Sequence, residues 1–339
     1  MIGTDSEVYN QSTSLILKAA YLYYLKEKPQ HEIADALDIS IPTVSRLIKK
    51  AKDEKIVEFV IRDPYIQCIE LEDNLKRRLN LKDVVIAPIP ALVQLDSPTA
   101  TTNESMRKTV ALEGARYIQR IITDNDILGI SWGKTIHDLI HFLNPCQKIN
   151  AGFVTMHGSI SGCHQDMDVR TLVARMSMAF GGRSYSLLTE GFMSSKGIAD
   201  SIKTEKNVKK VLEMFDQITI SLCSVGAFYP QRESMLYQPG GYVSEKEMKE
   251  LSDKNLTGDI ALRFFDTEGR ECDTSFKGRT LGINLEVYRN IKTKIIIVAG
   301  EKKTQAVLGA IKGGLADVLI TDYYLGKSLL DTQDGLPAK

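Results

Sequence analysis

The stretch DILGISWGKTIHDLIHFL (126–143) decides the fold class of this chain. Its apolar start, DILGI, is typical of a buried strand, and Gly133 then permits a tight turn into an amphipathic helix beginning near Lys134. A strand followed by a small-residue loop recurs at AGFVTMHGSISG (151–162) and at KIIIVAGEKK (294–303). Strands that alternate with helices predict a mostly parallel sheet with helices on both faces.

The same alternation extends across residues 83–333 and predicts one α/β domain. Four further apolar runs favour buried strands: DVVIAPIP (83–90), SYSLLTEGF (184–192), ITISLCSVGAF (218–228) and ADVLITD (316–322). Ligands of such sheets bind in the loops beyond the carboxyl ends of the strands. We therefore expect a Rossmann-like α/β domain whose binding site lies at the strand ends.

Residues 1–62 predict an all-α domain with a small β wing. Amphipathic helices are predicted at 14–28 and 31–38, and Ser40 is a good N-cap for a third helix. IVEFVIRD (56–63) is rich in β-forming residues and predicts the wing. Two short helices joined by a tight turn favour a winged helix-turn-helix.

The third predicted helix carries groups suited to DNA. Short polar and basic side chains near its start suit base edges, and the lysines that follow suit phosphates. The predicted DNA-binding residues are Gln30, Ser40, Pro42, Thr43, Ser45, Arg46, Lys49 and Lys50. Lys52 and Lys55 add to the same basic segment. The alternative is a three-helix packing module with a solvated basic face.

Residues 63–82 predict a linker helix between the two domains. The core of this segment is DPYIQCIELEDNLKRRLN (63–80). An imperfect apolar stripe runs along it and consists of Ile66, Ile69, Leu71, Leu75 and Leu79. Such a stripe packs either on its own domain or against a second subunit, as a DNA binder spanning two half-sites would use.

Composition excludes several classes of protein. The chain has 339 residues, 43% of them hydrophobic and 25% charged, which is typical of globular proteins. There is no apolar run long enough to span a membrane and no secretory signal, so we expect no membrane partner and a cytoplasmic location. The 43 basic residues balance 43 acidic ones, but nucleic-acid binding depends on local charge. Scattered cysteines without metal-ligand spacing indicate reduced thiols: Cys68, Cys146, Cys163, Cys223 and Cys272.

Three predicted strand-end loops combine small residues with hydrogen-bonding or basic ones. They are SWGKT (131–135), MHGSISG (156–162) and AGEKK (299–303), which supply Lys134, His157 and Lys303. Backbone amides at the start of a helix together with a lysine can hold an anion. The alternative is that these are the ordinary glycine turns of any α/β domain.

The sequence shows no nucleophile motif and no complete set of metal ligands. The nucleophile motif G-x-S-x-G is absent, and His137 and His141 form a possible metal pair without a third ligand. We therefore expect no catalytic residue, no metal and no cofactor.

Several segments, in order, resemble the SorC family of bacterial sugar-sensing transcription regulators. They are QHEIADALDISIPTVSRLIKKAKDEKIV (30–57), DILGISWGKT (126–135), TGDIALRFFDTEG (257–269), GRTLGI (278–283) and IIIVAGEKKTQAVLGAIKGGLADVLITD (295–322). The resemblance implies a winged helix-turn-helix joined to an effector domain related to sugar-phosphate isomerases. It also implies a tetramer on operator DNA and release or remodelling of that complex by a phosphorylated sugar.

The resemblance also implies a set of effector-binding residues. Lys134 and Thr135 fall in the loop that cradles the effector's phosphate, Asp259 on an acidic position that holds sugar hydroxyls, and Lys303 on a ligand-reaching lysine. His157 falls where relatives place an arginine or a lysine. In one of these relatives the resemblance implies a lysine that forms a covalent imine with the aldehyde of its effector, and histidine cannot form that bond. The full predicted set is Ser131, Gly133, Lys134, Thr135, His157, Gly158, Asp259 and Lys303.

The expected function is a DNA-binding transcription regulator, a repressor of a carbohydrate-utilisation operon, controlled by a phosphorylated sugar or polyol. The alternative is a sugar-phosphate isomerase or deaminase fused to a DNA-binding domain. That chemistry needs a general base, for which Asp259 is the candidate, and no second acid/base partner is evident.

Overall fold

The structure is a computed structural model that describes residues 12–57, 65–88, 100–145, 147–160, 162, 164–238 and 242–334. The chain divides between Arg62 and Asp63 into two compact units. No helix within the described ranges is both long and apolar enough to cross a membrane. The thiols of Cys68, Cys223 and Cys272 are buried, whereas Cys146 and Cys163 lie outside the described residues.

Between residues 12 and 57, the described part of the N-terminal unit, the chain forms three α-helices. They are α1 (Ser12–Ala20), α2 (Gln30–Leu37) and α3 (Ile41–Asp53), and a π-helical turn (Tyr21–Leu25) extends α1. Ala19, Ile33, Val44 and Ile48 meet in its core, which explains the spacing of apolar residues along the three helices. Asp38 adopts a left-handed conformation with φ 53° and ends α2, which allows the short turn into α3.

The sequence predicts an N-cap at Ser40 and a β wing at 56–63 in this unit. Ser40 lies at the N-cap of α3 as predicted, but its hydroxyl pairs with the Thr43 hydroxyl at 2.8 Å and caps no backbone N–H. Of the predicted wing at 56–63, only Ile56 and Val57 are described, and neither is in a strand. Residues 58–63 lie outside the described part of the chain.

The second unit alternates strands and helices. Its strands are β1 (Asp83–Ala87), β2 (Ile127–Ile130), β3 (Gly152–Thr155), β4 (Arg183–Tyr185), β5 (Ile220–Cys223), β6 (Gly226–Ala227), β7 (Gly258–Ile260), β8 (Arg263–Phe265), β9 (Thr293–Ile297) and β10 (Val318–Asp322). Its longer helices are α4 (Tyr65–Arg78), α5 (Ala100–Ile121), α6 (Lys134–His141), α7 (Val169–Phe180), α8 (Lys196–Lys203), α9 (Lys206–Glu213), α10 (Glu245–Asp253), α13 (Thr304–Lys312) and α14 (Tyr323–Asp334). Two shorter helices are α11 (Ser275–Arg279) and α12 (Leu285–Arg289).

Seven strands form a parallel sheet in the order β1-β10-β9-β5-β2-β3-β4, which confirms the predicted parallel α/β fold. Both faces are covered. Along β9, Ile295 and Ile297 enter one hydrophobic cluster, while Ile296 and the following Val298 enter the other. Because side chains alternate along a strand, a continuous apolar run is required when both faces are buried.

Two apolar runs predicted as buried strands are shorter or divided in the structure. The run 184–192 contributes only the end of β4, whose Arg183 and Ser184 are exposed because β4 is an edge strand. The run 218–228 divides into β5 and β6, and β6 joins a small antiparallel sheet in the order β6-β7-β8.

Helix α4 occupies the predicted linker, 63–82, and packs on its own unit. Leu71 and Leu75 are buried in a hydrophobic cluster that also contains Ile86. The Glu72 carboxylate accepts the Ile86 backbone N–H at 2.8 Å, which satisfies a donor on the outermost strand, β1. Burial raises the pKa of this carboxyl.

The hairpin between β7 and β8 is strained and is held by a buried arginine. Ala261 and Leu262 form its two-residue turn with φ values of 48° and 63°, a conformation that glycine adopts more easily. The Arg263 guanidinium donates to the carbonyls of Ile283, Lys277 and Gly282 at 2.8, 3.1 and 3.0 Å. It also lies 3.3 Å from a Glu271 carboxylate oxygen.

Replacing Arg263 with leucine is expected to lower the free energy of unfolding by about 3–5 kcal/mol, because Glu271 and three carbonyls lose their partner. Arg270→Leu is the matched control, since Arg270 is 74% exposed in its pair with Asp266 and should cost less than about 1 kcal/mol. Urea denaturation of both variants measures the difference. Equal losses would show that Arg263 does not hold the hairpin.

Candidate functional site

A cavity of about 890 Å³ lies at the carboxyl ends of the central strands. Its walls come from the loops that follow β2, β5 and β9. After β2 the chain builds β3 and β4 to one side, and β5 then returns to the other side of β2. The cavity therefore lies at the point where the strand order reverses, which is where open α/β sheets bind ligands.

The cavity brings together six of the eight residues predicted to bind the effector. These are Ser131, Gly133, Lys134, Thr135, Asp259 and Lys303. They come from the loop after β2 with the start of α6, from strand β7 and from the turn after β9. These segments are far apart in sequence, so the sheet topology, rather than any local motif, places them around one space.

The first loop, after β2, offers a site for an anion. Gly133 has a φ of 139°, which favours glycine, and it leads directly into α6. The amides at the start of α6 carry partial positive charge. Lys134 is exposed beside them and has no ion-pair partner among the described residues.

On another wall, a buried carboxylate faces the cavity. Asp259 Oδ1 accepts the Tyr237 hydroxyl at 2.6 Å. Burial raises the pKa of Asp259 to about 6, although the Tyr237 hydrogen bond and the charge of Lys303 both oppose the shift. A Cβ on Gly226 would lie 2.1 Å from Asp259 Oδ1, so glycine at that position leaves room for the carboxylate.

Lys303 supplies a second cation on the loop after β9. Its ammonium group donates to the Val225 carbonyl at 3.0 Å. Burial lowers the pKa of Lys303, and attraction to Asp259 and Glu233 opposes that shift. The cavity thus presents both cations and an acceptor, which suits a ligand with an anionic group and hydroxyls.

His157 and Gly158 do not line this cavity. The His157 side chain is fully buried, and its Nε2 accepts the Trp132 backbone N–H at 3.2 Å. Its Nδ1 therefore carries the proton and donates to the Gly158 carbonyl at 2.8 Å. Burial lowers the pKa of His157 to about 4, so the ring is neutral and supports the first loop from behind.

Sequence reasoning missed several cavity residues. Arg107 reaches the cavity from α5, and its Nε donates to Asp138 at 2.7 Å. The others include Asn103, Ser224, Glu233, Ser234, Gln238 and Tyr324. Ser224 follows β5 directly, so the strand-end rule that found Ser131 would have found it. Arg107 gives no such signal, because it lies within a long helix.

In the N-terminal unit, α3 has one buried and one solvent-facing side. Val44 and Ile48 are buried. The predicted DNA-binding residues Ser40, Pro42, Ser45, Arg46, Lys49 and Lys50 are exposed, and Gln30 and Thr43 are half-buried. Lys50 lies 3.5 Å from Glu54, and the Lys52 ammonium group lies over the Tyr24 ring.

Together these features define a ligand-binding α/β protein that carries a small helical unit with a basic surface. Residues 63–331 match the family model described as "Putative sugar-binding domain", and the chain belongs to this family.

Relatives along nearly the whole chain are transcription regulators. The chain is 29% identical over 323 residues to the deoxyribonucleoside regulator of Bacillus subtilis, covering 95% of this chain and 98% of that protein. It is 28% identical over 318 residues to the sorbitol operon regulator of Klebsiella pneumoniae, covering 93% and 97%. The crystal structure of full-length SorC from Klebsiella pneumoniae aligns with a TM-score of 0.71 at 26% identity, covering 94% and 98%. These findings confirm the resemblance to SorC-type regulators.

The buried titrating groups predict opposing pH effects on stability. Because the pKa of Asp259 is raised, the folded chain binds a proton at this carboxyl that the unfolded chain does not bind. The stability that this proton gives to the folded state is lost as the pH rises through about 6. The lowered pKa of His157 means that the unfolded chain binds the extra proton, so that contribution is lost as the pH falls from 6.5 toward about 4. Each shift corresponds to about 3 kcal/mol.

Single variants should separate the two effects in urea denaturation between pH 4 and pH 7. Between pH 4 and pH 7, the free energy of unfolding of Asp259→Asn should rise by about 3 kcal/mol relative to that of the wild type. His157→Gln, which keeps an acceptor for Trp132, should show the opposite trend. If the free energy of unfolding of each variant changes with pH as that of the wild type does, neither Asp259 nor His157 has the expected pKa shift.

Proposed function

We propose that this protein is a DNA-binding transcription regulator whose operator affinity is controlled by a phosphorylated sugar or polyol bound in the cavity. The observation that carries the proposal is the cavity at the point of strand reversal, with Lys134 beside the start of α6 and Asp259 and Lys303 on other walls. Its volume of about 890 Å³ is in the usual range for small-molecule sites.

The polar groups of the cavity suit the two ends of such a ligand. A phosphate would lie against Lys134, Thr135 and the first amides of α6. Sugar hydroxyls would donate to Asp259 and accept from Lys303. The relatives named for sorbitol and deoxyribonucleoside regulation support a carbohydrate-derived effector for this chain as well.

The N-terminal unit would bind the operator as a winged helix-turn-helix. In this proposal α3 enters the major groove, Ser45 and Arg46 contact base edges, and Lys49 and Lys50 contact phosphates. A homo-oligomer, which we propose to be a tetramer, would place such units on paired half-sites. The protein would act as a repressor of a carbohydrate-utilisation operon, and effector and DNA would each favour one arrangement of its subunits.

One observation favours an enzyme as a second candidate. Asp259 is a buried carboxyl with a pKa of about 6, a value suited to a general base. A sugar-phosphate isomerase or deaminase would use it to abstract a proton. Turnover of sugar phosphates by the purified protein, lost in Asp259→Asn, would support that function and displace the regulator.

The effector is tested by thermal shift with D-sorbitol 6-phosphate and 2-deoxyribose 5-phosphate, with the unphosphorylated compounds as controls. At 100 times its dissociation constant, a true effector stabilises the native state by about 2.7 kcal/mol. Lys134→Gln should weaken binding of the phosphorylated compound, since the phosphate loses a cation.

Lys312→Gln is the matched control, because Lys312 pairs with Glu268 away from the cavity and should leave binding unchanged. Equal binding by the Lys134 and Lys312 variants would remove Lys134 from the phosphate site. No stabilisation of the wild type by either phosphorylated compound would count against them as effectors.

The DNA contact is tested on a fragment from upstream of the protein's own gene. Arg46→Ala is expected to weaken specific binding by about 1–3 kcal/mol and to relax sequence preference, since it reads a base. Lys49→Ala should weaken specific and non-specific binding together and reduce the salt dependence. Lys18→Ala, on the exposed surface of α1, is the control. Wild-type affinity and selectivity in the Arg46 variant would contradict the base-reading role.

A further inference from the structure

Helix α14 lies next to the cavity at its first turn. Tyr324 lines the cavity. The preceding residue, Tyr323, contacts helix α4 instead, where its hydroxyl donates to Gln67 Oε1 at 3.2 Å. Two adjacent residues of one helix therefore contact the candidate effector site and helix α4.

Asp322 fastens the cavity loop to the same helix. Its side chain is buried, Oδ2 accepts the Gly300 backbone N–H at 2.7 Å, and Oδ1 accepts the Leu325 backbone N–H at 3.0 Å. A second link joins Thr304 and Ser328 through their hydroxyls at 2.9 Å. These hydrogen bonds join the loop that carries Lys303 to the first two turns of α14. We therefore expect a displacement of that loop to displace the start of α14 as well.

The backbone of α14 presses directly on α4. At Gly326, an added Cβ would lie 3.0 Å from Leu71 Cδ2 and 3.4 Å from Leu75 Cδ1, both on α4. It would also lie 2.9 Å from Ile86 Cδ1 on β1. Since closely packed side chains shift together rather than compress, movement of α14 passes to α4.

Among the described residues, helix α4 is the first element after the N-terminal unit. That unit ends at Arg62, and α4 begins at Tyr65. We propose that α14 transmits occupancy of the cavity to the N-terminal unit through α4, with Asp322 as the positioning residue that links the cavity loop to α14. This inference rests on the proposed function and names the route by which effector binding would alter DNA binding.

The test interrupts the contact between α14 and α4 without touching the cavity. Gly326→Ala adds a methyl group between the two helices, and Tyr323→Phe removes the hydroxyl that binds Gln67. Lys327→Ala is the matched control, because Lys327 is the next residue on α14 and is exposed. Tyr323→Phe keeps the ring and serves as the second variant if the alanine at 326 disturbs folding.

Two readouts are made on the full chain with D-sorbitol 6-phosphate, or with 2-deoxyribose 5-phosphate if it gives the larger thermal shift. The first is hydrogen exchange of residues 65–78 and 299–303 with and without the probe. The second is the ratio of operator dissociation constants with and without the probe.

In the wild type and Lys327→Ala, the probe should change exchange in both segments and should alter operator affinity. In Gly326→Ala and Tyr323→Phe, the change at 299–303 should remain while that at 65–78 is reduced. The fold change that the probe causes in the operator dissociation constant should be about 2- to 30-fold smaller than in the wild type.

Wild-type exchange and an unchanged ratio in both variants would overturn the route through α14. So would loss of probe binding in Tyr323→Phe, because the tyrosine would then belong to the binding site itself. If neither compound altered operator affinity in the wild type, the proposed function would fail instead, and the two failures are therefore distinguishable.

Discussion

The parallel pairing of β2 with β5 is the constraint on which the rest of the site depends. Leu128 pairs with Ile220 and Ile130 with Leu222, although about ninety residues separate the two strands in sequence. This register brings the loops at Ser131 and Ser224 to the same edge of the sheet, and the chain diverges to opposite sides beyond it. A crevice results from topology alone, and the side chains around it then decide its chemistry.

The chemistry of the cavity depends on how its polar groups are held. Asp259 is bound by Tyr237, and Lys303 donates to the Val225 carbonyl, so each keeps a partner of the protein's own. Lys134 is different, because it is exposed and has no ion-pair partner in the described part of the chain. In the proposed function, a ligand would therefore gain most from an anionic group at Lys134, and Asp259 and Lys303 would orient it through pre-positioned hydrogen bonds.

Much of the fold was predictable from the sequence because apolar runs and turn residues act locally. The strand in DILGI, the glycine turn and the helix from Lys134 all follow from spacing, and the structure has them at those positions. The extents of weaker strands did not follow, because the edge position of β4 and the departure of β6 into a second sheet depend on tertiary pairing. Six predicted cavity residues come together for the same topological reason, whereas Arg107 lies within a helix and gives no local signal.

His157 shows that a strand-end loop can supply a buried side chain that supports a neighbouring loop. It lies in a strand-end loop of the expected kind, yet its ring is buried and supports the Trp132 amide. A charged imidazole there would carry a proton on Nε2 and could not accept the hydrogen bond from the Trp132 backbone N–H. The neutral ring therefore binds the Trp132 amide and helps to hold the loop that leads into α6 at Lys134. Side chains behind the cavity thus determine where its binding groups lie, just as Asp322 does for the loop that carries Lys303.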